Sequence, residues 1–200
     1  MKLIEGLWWP DDVGEKWRHA LMHVASIEWA IAHCRKRRTA VQAGGNVGLW
    51  PRRLADAFTR VMTFEPDVRS RDCLVRNVPG NVSVWDLALG AGPGLCGVAH
   101  KSLGGHRIVE GDSIAVTSVD ALELDDLDLL QLDVEGYEWH ALQGAIETIR
   151  RCRPLIQVEL RNFTNRYGHS DGEVRAFLAG LGYREVSRQQ GSDVVFQGAA

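Results

Sequence analysis

The sequence predicts an α/β protein with a single doubly wound, mainly parallel sheet of about seven strands. Two observations support this prediction. Short apolar segments alternate along the chain with segments of helical periodicity, which is the order expected when helices connect parallel strands. Segment 183–197 contains two strand-like runs around a turn, so we expect a C-terminal antiparallel hairpin at an edge of the sheet.

Composition and charge disfavour several other classes of protein. The chain has 200 residues, which suits one globular unit, and its net charge of −3 gives no general attraction to nucleic acid or to an anionic membrane. The four cysteines form no CxxC pair, so we expect reduced thiols in a cytoplasmic protein. No apolar run reaches the roughly 20 residues of a membrane span, and no signal peptide is expected.

The N-terminal segment, residues 1–38, is expected to form a helix that packs on a core made by residues 39–200. Asp11 and Asp12 are candidate capping residues for this helix. Apolar residues then recur at spacings of three and four along it: Trp17, Leu21, Val24, Ile27, Ile31 and Cys34. The basic run 35–38 suits a solvated helix end better than a contact with an anionic substrate.

From residue 39 onward the sequence predicts alternating strands and helices. The predicted strands are 39–43, 61–65, 81–90, 127–135 and 154–160. The first predicted helix has Pro51 in its first turn, and the others are 67–77, 137–150 and 171–182. In helix 67–77 we expect Val68, Leu74 and Val75 to be buried. Segment 127–135 is almost continuously apolar, which is typical of a strand buried on both faces. The glycine-rich segment 90–107 is predicted to be a mobile flap or an edge hairpin.

A glycine-rich turn follows the first predicted strand. Ala43, Gly45 and Gly48 have the spacing of a nucleotide-binding turn, where small residues allow a tight turn and a close backbone approach to a ligand. Glu65 ends the next strand about twenty residues later, where a carboxylate can accept hydrogen bonds from the ribose hydroxyls of an adenosine cofactor. These two features predict a Rossmann-like fold and leave NAD and S-adenosylmethionine open.

The rest of the sequence favours S-adenosylmethionine. NAD dehydrogenases usually append a catalytic domain, for which little chain remains, whereas a single sheet with a terminal antiparallel hairpin is typical of class I methyltransferases. Several segments resemble the FkbM-type methyltransferase family in order and spacing. D-V-E-G-x-E at 133–138 with L-x-G-A at 142–145 is the most specific match, and the others are VQAGGNVGLW, TFEPD, LVRN and PLIQVEL.

This resemblance implies a methyltransferase that uses S-adenosylmethionine, releases S-adenosylhomocysteine and methylates hydroxyl oxygens of sugars or natural products. The implied cofactor residues are Gly44, Asn46 and Gly48 at the methionine end, Glu65 at the ribose, and Ala88 and Leu89 at the adenine. Asp133 and Glu135 would face the transferred methyl group. Gln42 stands where the family pattern has an aspartate, so the cofactor's ammonium would have a neutral and weaker acceptor.

The chemistry requires a group that takes the proton of the acceptor hydroxyl and orients the acceptor. Asp133 is the first candidate because ligands of open α/β sheets bind at the carboxyl ends of the strands, and Glu135 lies two residues further on. His169, in the loop after the last parallel strand, is an alternative base. No metal is predicted, although Asp133, Glu159 and Asn162 are possible oxygen ligands for a divalent ion.

Two other functions stay open at this stage. The chain could be a degenerate methyltransferase or a cofactor-binding module that acts only with a partner, since Gln42 breaks the family pattern and few segments are left to cover an acceptor. A nucleic-acid methyltransferase is less favoured because the chain is acidic and has no NPPY-like motif. A small hydroxylated molecule is therefore the expected partner.

Overall fold

The computed structural model describes residues 1–100, 105–190 and 192–199. Its strands are β1 (Lys2–Ile4), β2 (Leu7–Trp9), β3 (Thr39–Ala43), β4 (Arg60–Phe64), β5 (Val82–Trp85), β6 (Ala88–Leu89), β7 (Gly94–Ala99), β8 (Arg107–Thr117), β9 (Leu127–Leu132), β10 (Leu155–Glu159), β11 (Tyr183–Gln189) and β12 (Asp193–Gly198). Its α-helices are α1 (Lys16–His23), α2 (Glu28–His33), α3 (Leu49–Ala55), α4 (Val68–Asn77), α5 (Glu138–Gln143), α6 (Ile146–Cys152) and α7 (Asp171–Gly180).

Seven strands form one doubly wound sheet in the order β11-β12-β10-β9-β3-β4-β5, which confirms the predicted fold class. Each neighbouring pair from β10 to β5 is parallel, whereas β12 is antiparallel to both β10 and β11. The predicted C-terminal hairpin is therefore present, with β12 inside the sheet and β11 at its edge. β3 and β10 are buried along their whole length, as expected for central strands covered on both faces.

The N-terminal segment differs from the single predicted helix. β1 and β2 form an antiparallel hairpin before it, and Trp9 of this hairpin is fully buried. The helix itself is divided into α1, a 3-10 turn at Val24–Ile27 and α2. Its N-cap is Glu15, with no side-chain capping bond, so Asp11 and Asp12 do not cap it. Three-residue strands are too short to show a periodic pattern, which is why the hairpin was not predicted.

A second sheet of three strands, in the order β6-β8-β7, extends from the main sheet. The predicted strand 81–90 divides into β5 in the main sheet and β6 in this one. The glycine-rich segment 90–107 contributes β7, which is antiparallel to β8, so the part within the described residues is a hairpin strand. Residues 101–104 of that segment lie outside the described residues.

Two helical predictions need correction. The predicted helix 137–150 consists of α5 and α6, because Gly144 packs against the Gly90 carbonyl and accepts a hydrogen bond from the Asp120 N–H instead of continuing the helix.

In α4 the buried residues are Ser70, Cys73, Leu74 and Asn77, whereas Val68 and Val75 are exposed. Leu74 packs on the glycine turn and Cys73 on the N-terminal hairpin, which fixes the rotation of this helix.

One face of the main sheet becomes more polar toward the carboxyl ends of its parallel strands. Its first layer is apolar and packs on α2: Ala40, Val61, Leu129 and Leu155. The second layer is fully buried and polar, and its members pair side by side across the sheet: Thr63, Gln42, Gln131 and Gln157. Because side chains alternate along a strand, the residues two positions further on share this face: Gly44, Glu65, Asp133 and Glu159. This edge is where a ligand of an open α/β sheet binds.

Candidate active site

A cavity with about 680 Å³ of empty space, part of which is open to the solvent, lies at the carboxyl ends of β3, β4 and β9. The second sheet contributes Val98, Arg107 and Ile108 to its lining. Seven residues that the sequence singled out also line it: Gly44, Asn46, Glu65, Ala88, Leu89, Asp133 and Glu135. The structure therefore brings most of the candidate site residues to one place.

Hydrogen bonds to β4 hold the glycine turn. The N–H groups of Gly44 and Gly45 both donate to the Phe64 carbonyl at 3.1 Å. Gly44 has a φ of +85° and lies directly against the backbone carbonyl of Asp133, so a side chain has no room there. Gly48, with a φ of +94°, packs against Leu74 of α4 and does not line the cavity.

Glu65 lies at the end of β4 and is only 5% exposed. Its carboxylate accepts hydrogen bonds from the backbone N–H groups of Asn46 at 2.6 Å and Asp67 at 2.8 Å. Burial raises the pKa of Glu65 to about 7, against the lowering effect of these two N–H groups. The side-chain Oδ1 of Asn46, also in the cavity lining, is buried and accepts no hydrogen bond from the described residues.

Three carboxylates meet where β9 and β10 end. Oxygen atoms of Asp133, Glu135 and Glu159 lie within 4.8 Å of one another. Burial, followed by the negative charges of Glu159, Asp193 and Glu135, raises the pKa of Asp133 well above its ordinary value. Burial also raises the pKa of Glu159 to about 7, although Arg161 lies 2.6 Å from its carboxylate and opposes the shift. The two carboxyl groups interact, and burial together with their mutual repulsion makes each hold its proton to a higher pH than an isolated carboxyl group does.

The turn that carries two of these carboxylates is braced by Glu138, which lies in the first turn of α5. Its Oε1 accepts hydrogen bonds from the N–H groups of Val134 at 3.0 Å and Gly136 at 3.1 Å. Glu138 is 1% exposed, and burial raises its pKa to about 8. Arg166 adds a second brace by donating to the Glu135 carbonyl at 2.9 Å. No sequence pattern distinguishes such a brace from a helix-dipole contact.

A second cavity of about 410 Å³ shares Gly44, Asn46 and Asp133 with the first. The N-terminal segment contributes His23 to its lining, and the His23 ring stacks on Trp50 with 5.5 Å between centroids. His23 Nε2 lies 3.6 Å from a carboxylate oxygen of buried Asp193. Burial lowers the pKa of His23, and Asp193 partly opposes this shift. The helical periodicity of the N-terminal segment gave no sign that His23 reaches this edge.

Gln42 is not where the resemblance implied. Its side chain is fully buried beneath the cavity, where its Nε2 donates to the Ala43 carbonyl at 3.0 Å and its Oε1 accepts from the Thr63 hydroxyl. Gln42 and Gly44 lie on the same face of the sheet, because side chains alternate along a strand. Gln42 lies two residues before Gly44, so its side chain lies in the fully buried polar layer, whereas Gly44 lines the cavity. The amide is therefore used within the protein and does not face the cavity.

His169 also lies outside the residues that line the two cavities. Its ring stacks on Trp139 with 4.6 Å between centroids, and its Nδ1 is 3.6 Å from Glu173. His140 is half-buried, and its ring stacks on Tyr137 with 4.3 Å between centroids. Asn162, a candidate metal ligand, donates its backbone N–H to Asp171 at 2.8 Å and is not part of the carboxylate cluster.

The basic run 35–38 lies away from the site. Arg38 precedes β3 at the amino ends of the parallel strands and pairs with Asp128, with 2.6 Å between nitrogen and oxygen. The solvated interpretation therefore fits this arginine, since 44% of its side chain is exposed. Among the described residues, no helix is both long enough and apolar enough to cross a membrane.

The sheet order, the antiparallel C-terminal strands and the glycine turn followed by Glu65 define a Rossmann-like methyltransferase fold. The methyltransferase FkbM domain matches residues 42–185, and the chain therefore belongs to the FkbM methyltransferase family. Membership confirms the predicted family and S-adenosylmethionine as the cofactor. No match was found among curated protein sequences.

Solved structures share this fold at low sequence identity. Methyltransferase FkbM from Methylobacillus flagellatus KT has a TM-score of 0.53 and 17% identity over 80% of this chain, which spans only 43% of that protein's length. Magnesium protoporphyrin IX methyltransferase from Synechocystis PCC 6803 with bound S-adenosylmethionine has a TM-score of 0.55 and 13% identity, covering 96% of this chain and 86% of that one. Ribosomal protein L11 methylase from Lactobacillus delbrueckii subsp. bulgaricus has a TM-score of 0.53 and 9% identity, with 98% and 84% covered.

Proposed function

We propose that this protein transfers a methyl group from S-adenosylmethionine to a hydroxyl oxygen of a small molecule, such as a sugar or a natural product. The observation that carries this proposal is the adjacent carboxyl pair Asp133 and Glu159, because Asp133 lines both cavities where they adjoin. Burial raises the pKa of Glu159, the partner of Asp133, to about 7, and a carboxyl pair with a member in this range is suited to accept a hydroxyl proton at neutral pH.

The residues of the larger cavity fit the cofactor. Glu65 already accepts two backbone N–H groups, and its remaining lone pairs can accept the two ribose hydroxyls. Ala88 and Leu89 are buried and offer an apolar surface to the adenine. The unpaired Oδ1 of Asn46 can accept a hydrogen bond from the ammonium of the methionine end. When bound, S-adenosylmethionine supplies an electrophilic methyl group on a sulfonium.

The acceptor would lie at the junction of the two cavities, beside Asp133. The protein's tasks there are to hold the hydroxyl in line with the methyl group and to receive its proton on the Asp133–Glu159 pair. Glu135 contributes negative charge to the same cluster. Glu138 holds the backbone of the turn, so it acts as a positioning residue.

Calorimetry tests the cofactor site. We expect S-adenosylhomocysteine to bind and NAD to show no useful binding. Glu65→Ala should weaken S-adenosylhomocysteine by roughly 1–3 kcal/mol, the range for losing hydrogen bonds to a charged group. Glu147→Ala, on the exposed side of α6, is the matched control and should leave the affinity unchanged. An unchanged affinity in Glu65→Ala would place the ribose elsewhere.

Methyl transfer is tested by incubating the protein with methyl-labelled S-adenosylmethionine and panels of sugars, small hydroxylated metabolites and nucleic acids. We expect label on a hydroxylated small molecule, and Asp133→Asn should lower turnover by about 10²–10⁴-fold. Asp128→Asn, at the opposite end of β9, is the control. Full turnover in Asp133→Asn would move attention to His169 as base. Loss of activity with a chelator and its recovery with magnesium would support the metal alternative at the carboxylate cluster.

A further inference from the structure

Two histidines and an aspartate meet beside the ribose-binding edge, outside the residues assigned to methyl transfer. Asp67 follows β4 and is the N-cap of α4, His100 follows β7, and His106 precedes β8. One ligand atom from each of these three residues lies within 4.8 Å of the other two. The Asp67 side chain is fully buried, and that of His106 is 13% exposed.

The contacts within this cluster differ from those of an ordinary ion pair. His100 Nδ1 lies 2.6 Å from Asp67 Oδ2, yet Oδ2 is buried and accepts no hydrogen bond from the described residues, so the two atoms are close without being aligned as donor and acceptor. Asp67 Oδ1 is used separately, since it accepts the Ser70 N–H at 2.9 Å. His106 Nε2 lies 3.9 Å from Asp67 Oδ1. Three potential ligand atoms this close together are an arrangement that one metal ion can bind.

We propose that Asp67, His100 and His106 bind a divalent transition metal ion such as Zn²⁺. Two imidazole nitrogens and one carboxylate oxygen are a donor set that suits zinc and its neighbours, with water completing the coordination. Ligand atoms bound tetrahedrally at roughly 2.0–2.1 Å from a zinc ion lie about 3.3 Å from one another. The two nitrogen–oxygen distances in this cluster, 2.6 Å and 3.9 Å, lie on either side of that value.

Such an ion would join two parts of the fold next to the cofactor cavity. His100 and His106 belong to the β7–β8 part of the second sheet, whereas Asp67 belongs to the main sheet's β4–α4 connection. The Asp67 backbone also donates to Glu65, and His106 lines the cavity. The bound metal would therefore hold one wall of the cavity in place.

Cobalt and zinc binding to the untagged, chelator-treated protein test the proposal. We expect one equivalent of Co²⁺ with visible absorption typical of nitrogen and oxygen ligands, displaced by Zn²⁺, and no cobalt–thiolate band. His100→Gln and His106→Gln should each weaken binding by about 100-fold or more. His33→Gln is the matched control, because this exposed histidine lies in the N-terminal helical region and bonds to the Trp29 carbonyl.

A second measurement guards against variants that fail to fold. The side chain of His100 is 54% exposed, so His100→Gln should keep the wild-type circular dichroism spectrum. Zn²⁺ should raise the thermal midpoint of the wild-type protein and not that of His100→Gln. Absence of binding, unchanged binding in a folded His100→Gln variant, or equal loss in His33→Gln would each overturn the proposal.

Discussion

Gln42 illustrates how a single buried side chain can serve the fold beneath a ligand site. Its amide connects β3 to β4 through Thr63 inside a layer where further amide groups, those of Gln131, have no hydrogen-bond partner among the described residues. A buried hydrogen bond contributes little when made, but breaking it leaves an unsatisfied polar group at substantial cost. The energetic role of Gln42 therefore lies in stability, while the cavity above it is lined by Gly44 and Asn46.

Gln42→Ala should consequently lower the free energy of unfolding by about 1–3 kcal/mol, because the Thr63 hydroxyl loses its acceptor. Urea denaturation measures this loss, and calorimetry should show S-adenosylhomocysteine affinity unchanged within twofold. Thr63→Val and the double variant complete a cycle that isolates the pair. A tenfold loss of affinity in a stable Gln42→Ala protein would show that the amide contacts the cofactor after all.

The glycine turn allows the ends of two neighbouring strands, β3 and β9, to approach each other closely. Gly44 lies against the backbone of Asp133, so the end of β3 and the end of β9 are in contact where the cavity begins. Such an approach needs both the left-handed φ and the missing side chain. Any added atom must push Asp133 away from its partners in the carboxylate cluster.

Gly44→Ala is therefore expected to lose about 1–3 kcal/mol of stability from backbone strain alone and to bind S-adenosylhomocysteine more weakly. Thermal unfolding and calorimetry on the same preparation give the two readouts. Gly172→Ala is the matched control, because a Cβ added to this glycine in α7 would meet only Ser170 Oγ at an ordinary contact distance of 3.7 Å, and helical alanine is favourable. Equal behaviour of the two variants would contradict the close approach described for Gly44.

Which elements could be predicted depended on the strength of their local pattern. β3, β10 and α7 were predicted to within two residues at each end, since apolar runs and helical periodicity are strong local signals. The predicted strand 127–135 was too long, because β9 ends at Leu132 and the backbone turns through positive φ values at Glu135 and Gly136. β8 was missed because its eleven residues are mostly exposed or half-buried and carry no alternating pattern. The N-terminal hairpin was missed because its strands have three residues each.

The candidate site divides along the same line. Gly44, Glu65 and Asp133 follow predicted strands, and parallel strands bring their carboxyl ends to one edge, so their meeting could be inferred. His23, His100 and His106 lie in segments whose positions are determined by tertiary contacts. The periodicity of a sequence gives no information on such contacts, so the approach of these histidines to the site could not be predicted. Glu138 could not be recognised either, because its role depends on the turn that precedes it.

For the molecule as a whole, buried carboxyl groups make stability depend on pH. Burial raises the pKa of Glu65 and Glu159 to about 7 and that of Glu138 to about 8, well above the values of about 4.3 expected in the unfolded chain. Between the unfolded pKa values of about 4.3 and the folded values of about 7 to 8, the folded protein therefore keeps protons that the unfolded chain has released. The free energy of unfolding consequently falls as pH rises through this interval. Burial lowers the pKa of His23, His106 and His140, so these residues bind fewer protons in the folded protein than in the unfolded chain. Below about pH 6.5 they therefore make the free energy of unfolding increase as pH rises.

Between pH 6.5 and 8.5, the thermal midpoint of the cofactor-free protein should therefore decrease as pH rises. Glu138→Gln should flatten this dependence, since its side-chain oxygen can still accept the Val134 and Gly136 N–H groups without becoming charged. Glu147→Gln, an exposed residue, should keep the wild-type slope. A midpoint that stays constant or rises across this interval would contradict protonated carboxyl groups in the folded state.

The position of β12 between β10 and β11 has a consequence for the order of folding. β12 follows every other element of the main sheet along the described chain, yet it pairs with the strand that carries Glu159 and brings Asp193 beside it. During synthesis, the growing chain can form the helices and the β3–β4–β5 side early, while β10 keeps an unpaired edge until residues 193–198 emerge. Unpaired edges and late non-local contacts slow folding and invite aggregation. The nascent protein therefore depends on its final strand both to protect that edge and to complete the acidic site.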